Sequence, residues 1–166
     1  MKIIITILFF SIAIGKEVEF KEIRLSGLIT DKKQEISGLE WYKDNLVLLP
    51  ENLGGFYFMI PKETIKRYLR NYEPEPIEPR QVSFKTADYS KLIPGFQGFE
   101  AIAFKNEFVA ITMEAKHNKK MHGYYAWGTI NPKSFEITIP EKNLIELPVP
   151  VQLKNFTFES LLIHND

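Results

Sequence analysis

The sequence predicts an all-β fold assembled from repeated antiparallel sheets. Three observations carry the prediction. A strand–turn–strand pattern at residues 36–51 returns at residues 99–114 and opens once more at residues 158–166. Aromatic residues, which favour strands, make up 13% of the chain, with thirteen Phe and seven Tyr. The apolar runs are short and are broken by Asp-Asn, Pro and Gly-Gly pairs. Recurrence at this spacing is the mark of a repeat architecture.

Taken in order, Met1-Lys2 precedes an apolar run that ends in Ala13-Ile14-Gly15. One cation, a short apolar core and small residues fit a secretory signal peptide over residues 1–15, cleaved after Gly15. The run is too short to span a membrane comfortably. The alternative is a buried, Ile-rich first strand. Residues 17–25 alternate polar and apolar and read as an edge strand with a bulge. Asp31-Lys32-Lys33-Gln34 is a solvated turn.

The first unit has strands at 36–41, 46–49 and 56–60, with a turn at Tyr42-Lys43-Asp44-Asn45. Asp and Asn tolerate the backbone angles of such turns. The run Leu46-Val47-Leu48-Leu49 is apolar throughout, as in a strand buried on both faces. Residues 64–69 read either as a fourth strand or as an amphipathic helix. The Pro-rich stretch 72–79 is an extended connection, and residues 80–84 lead into a further strand. Asp88 caps a short helical turn.

The second unit has strands at 99–104, 108–113, 123–130 and 134–139, with residues 114–122 as a loop. Gly55-Phe56-Tyr57 matches Gly123-Tyr124-Tyr125, and Pro61-Lys62 matches Pro132-Lys133. Four strands in units of about 60 residues suit the blade of a β-propeller. A blade has two apolar faces that only neighbouring blades can cover. The chain supplies about two four-stranded blades and the first strand of a third, whereas propellers use about four to eight. Residues 16–166 therefore read as an incomplete β-propeller, a piece of a longer one. Two other readings stand: a ring completed by self-association, and a plain antiparallel sandwich.

The chain of 166 residues is 45% hydrophobic and 25% charged, as in a globular domain. Its formal charge of zero gives no electrostatic case for nucleic acid or an anionic membrane surface. With no cysteine, disulfides, thiolate metal sites and a lipid-bearing Cys are excluded.

Three segments carry a resemblance: Ile36-Ser37-Gly38-Leu39, Phe99-Glu100-Ala101-Ile102-Ala103 with Met113-Glu114, and Phe158-Glu159-Ser160-Leu161. There the chain resembles the esterase-like phytase family of β-propellers, and more distantly the strictosidine-synthase and gluconolactonase-like groups. The motifs are short, and the likeness spans only part of a family member's length. The resemblance implies an exported propeller, periplasmic or extracellular, with metal binding and hydrolysis of a small phosphoester or carboxylic ester. Missing later blades put any site across the central channel in doubt. A non-catalytic propeller that binds a ligand or protein, and an inactive fragment, are the other readings.

Several residues carry candidate chemistry. Glu100 and Glu159 open the inner strands of their units, where converging carboxylates can hold Ca²⁺, which takes about six to eight oxygens. Glu51 with Asn52, and Glu114, end second strands and can face the same opening as ligand-binding groups. Paired carboxylates serve acid and base roles when their environments separate their pKa values. Glu114, His117 and His122 have zinc-ligand chemistry on a loop spacing; a charged hairpin tip is the plainer reading. Trp41, Trp127, Tyr124 and Tyr125 can stack on a sugar or base, or pack in the core. Gly54-Gly55 lacks the Lys and helix of a phosphate loop, and there is no Ser nucleophile elbow, metalloprotease helix motif or EF-hand loop.

Overall fold

A computed structural model describes residues 21–52, 54–71, 74–149, 158 and 160–163. The expected signal peptide, Glu159 and His164 lie outside the described residues. The described chain is mostly β. Strands β1 (Ile36–Tyr42), β2 (Asn45–Pro50), β3 (Phe56–Pro61) and β4 (Arg80–Lys85) form one antiparallel meander. Strands β5 (Phe96–Lys105), β6 (Phe108–His117) and β7 (Lys120–Ile130) form another. Two short strands, β8 (Ile137–Thr138) and β9 (Leu144–Leu147), pair with the C-terminal end and the middle of β7 respectively.

The two meanders are not separate sheets. Phe84 and Lys85 of β4 pair in parallel with Ile137 and Thr138 of β8, which gives the order β1-β2-β3-β4-β8-β7-β6-β5. The sheet then curls until its first and last strands, β1 and β5, lie side by side in a nearly closed, barrel-like form.

Side-chain alternation sets the two faces. Val47, Leu49, Tyr57 and Met59 point inward to meet Ile102, Val109, Ile111 and Met113 in the main core. The intervening Leu48, Phe58 and Ile60 point outward and are covered by Ile65, Tyr68 and Leu69 of helix α1 (Lys62–Arg70). The continuous apolar run of β2 is thus buried on both faces, as its sequence predicts. The ambiguous stretch after Pro61 is helical because its apolar residues recur at helical spacing and have this outer sheet face to cover. Residues 80–85 supply the fourth strand of the meander instead.

Three other expectations change in detail. Residues 114–122 are not a loop: β6 and β7 continue as a hairpin to a tight turn at Asn118-Lys119, both left-handed, with φ of 51° and 63°. The expected strand at 134–139 shrinks to β8, and the connection after it contains β9. In the expected first edge strand, Leu25 makes an isolated bridge to Ile77. Helix α2 (Tyr89–Leu92) follows Asp88, which stands at the N-cap position but makes no side-chain cap hydrogen bond; its carboxylate instead takes the Ser90 hydroxyl at 2.5 Å and the Lys91 ammonium at 2.7 Å.

Candidate functional site

The ends of β1 and β5 away from their hairpin turns have matching irregularities. Ile36 pairs with Pro50 and Gly38 with Leu49, which leaves Ser37 as an extra residue. Phe99 pairs with Met113 and Ala101 with Thr112, which leaves Glu100 as an extra residue. These are the two positions that the sequence aligns. A bulge redirects its side chain out of the regular alternation. Ser37 uses its position to donate to the Phe99 carbonyl at 2.5 Å. Glu100 is only 8% exposed.

Glu51 leaves β2 at this end. Its backbone N–H donates to the Glu35 carbonyl at 2.7 Å, and its own carbonyl accepts from the Phe99 N–H at 3.0 Å. Its side chain lies against Gly98, where any Cβ would collide with the Glu51 Cγ. Burial raises the Glu51 pKa above the usual carboxylate range, and a side-chain hydrogen bond with Glu35 adds to this. The negative charges of Glu35 and Glu114 push in the same direction. Like charges held close together oppose one another's ionisation, which favours the protonated form of Glu51.

The structure therefore brings Glu51, Glu114 and Glu35 into one electrostatic neighbourhood. Glu35 has an unusual φ of 33°. Its signal was available: antiparallel pairing of Ile36 with Pro50 places the residue before one strand beside the residue after the other.

Asn52, the other candidate ligand group, lines a cavity of 780 Å³ beside this cluster. The Gly54-Gly55 loop, residues 84–90 and the start of β5 complete its walls. Phe99 anchors the aromatic lining, with ring centres 5.5 Å from Phe96, 6.0 Å from Tyr89 and 6.2 Å from Phe84. Tyr89 is 2% exposed, and its hydroxyl has no hydrogen-bond partner among the described residues. Burial, with the Glu141 charge second, pushes its pKa up to about 12, so the hydroxyl stays protonated as a donor.

The remaining candidates are placed differently. His122 Nδ1 lies 2.8 Å from Glu146 on the neighbouring β9, and the His117 and His122 rings are 6.5 Å apart and tilted. Trp127 stacks on Tyr125 at 5.6 Å. Among the described residues no group of three or more His, Asp or Glu side chains is arranged to hold a metal ion. No protein-family model matches the chain, and no curated protein or solved structure matches it significantly.

Proposed function

We propose that the two meanders are successive blades of an incomplete propeller, and that the cavity beside Glu51 takes a small ester or phosphoester. Three features support the blade reading: the matching bulges at Ser37 and Glu100, and the tight turns in which Lys43 and Asn106 are both left-handed. The third is the docking of successive unit openings. Phe99 receives its hydroxyl bond from the first unit, and the Phe158 carbonyl receives one from Thr112 of the second at 2.9 Å.

The observation that carries the chemical reading is the hydrogen-bonded pair Glu51–Glu35, with the Glu51 carboxyl held above its ordinary range, next to the largest of the cavities described. In its ionised form the pair takes a proton from water attacking the ester carbon or phosphorus; in its protonated form it returns one to the departing alkoxide. General acid–base catalysis of this kind contributes about 10²–10⁴-fold. Hydrolysis of p-nitrophenyl butyrate or p-nitrophenyl phosphate tests it. Activity that falls by about 10²-fold or more in both Glu51→Gln and Glu35→Gln is expected; no hydrolysis of either substrate overturns it.

A second reading is ligand binding without turnover. It is favoured by the cavity lining, where the Ser90 hydroxyl donates to Asp88 and, among the described residues, no histidine stands beside it. Calorimetric binding of a non-hydrolysed phosphonate, with no turnover of the ester, distinguishes it. Export is part of the same proposal: the secreted chain is expected to begin at Lys16, and a chain that retains Met1 counts against it.

A further inference from the structure

A second cavity, of 420 Å³, opens at the other end of the sheet, where the β1–β2 and β5–β6 turns lie side by side. That volume is within the roughly 300–1,000 Å³ range of small-molecule pockets. Trp41 closes one side and is 46% exposed, although an indole buries well wherever a core accepts it. Tyr42, the next residue, turns to the opposite face of the strand. It is 4% exposed and packs 4.9 Å from Phe104 and 6.1 Å from Phe135. Its hydroxyl is buried and has no hydrogen-bond partner among the described residues.

The polar groups are of mixed sign. Lys43 Nζ sits 5.6 Å from the centre of the Tyr42 ring and donates to the Pro132 carbonyl at 3.2 Å. Asn106 and Glu107 come from the equivalent turn of the second meander. One cation beside one anion gives no net preference for a charged ligand. An open aromatic face next to an amide and a carboxylate suits a molecule with an apolar C–H face and a rim of hydroxyls.

We propose that this cavity binds a pyranose sugar, with Trp41 stacking on the ring and Asn106 and Glu107 bonding its hydroxyl groups. The site is independent of the Glu51 cluster at the far end of the sheet.

Saturation-transfer NMR on the full chain tests this with methyl β-glucopyranoside, methyl α-mannopyranoside and N-acetylglucosamine as probes. Transfer to the ring C–H protons of at least one sugar is expected. It should weaken about tenfold in Trp41→Ala and persist in Trp127→Phe. Asn106→Gly keeps the left-handed turn while removing the amide, so it carries the same expectation should Trp41→Ala fail to fold. Three results overturn the proposal: no transfer to any sugar, transfer unchanged in the Trp41 and Asn106 variants, or transfer only to N-acetylphenylalaninamide run as an aromatic control.

Discussion

The Ser37 hydroxyl donates a 2.5 Å hydrogen bond to the backbone carbonyl of Phe99, 62 residues further along the chain. It joins β1 to β5 at the seam where the curled sheet nearly closes. Ser37→Ala removes the donor and leaves the carbonyl to find another. The expected cost is about 1 kcal/mol, read as a lower urea midpoint with an unchanged slope. A variant that melts with the parent would show that the seam is held by packing alone.

Gly98 leaves room for the Glu51 side chain. Gly98→Ala forces that side chain away and strains β5, at an expected cost of about 1–3 kcal/mol. It should also bring the Glu51 titration, followed by carboxyl NMR, back toward the usual range. An unmoved titration would mean that Gly98 has no part in holding Glu51.

The Glu51 shift has a definite sign in stability. Its folded pKa is raised, by burial first and then by Glu35 and Glu114. Between its unfolded and folded pKa values the folded chain holds a proton that the unfolded chain has lost. Stability therefore falls as pH rises through that window. Glu51→Gln removes this contribution. It should melt higher than the parent at neutral pH and converge with it below the ordinary carboxylate range. Thermal melts from pH 3 to pH 8 check this.

Phe158 lies across Gly123, and its carbonyl accepts from Thr112. Thr112→Val keeps the shape and removes the donor; Gly123→Ala puts a methyl group where the ring sits. Both should loosen the segment around residues 158–163, by about 1 kcal/mol for the lost hydrogen bond. Faster amide exchange there, with the β6–β7 hairpin unaffected, is the expected pattern.

The local grammar of this chain was legible without coordinates. Asp-Asn and Asn-Glu turns between apolar runs mark the hairpins at Tyr42–Asn45 and Lys105–Phe108, and the unbroken run of β2 announces burial on both faces. Alternation and turn chemistry act over a few residues, so a single sequence carries them. What joins distant segments is not written locally. The helix over Lys62–Arg70 required an uncovered outer sheet face holding Phe58 and Ile60. The parallel join of Phe84 to Ile137 turned two meanders into one curled sheet. Only that curl placed Ser37 against Phe99, Glu51 against Gly98, and the turn carrying Trp41 beside the one carrying Glu107. Such pairings depend on the register of strands far apart in the chain, and only the assembled core selects among the registers that the same local pattern allows.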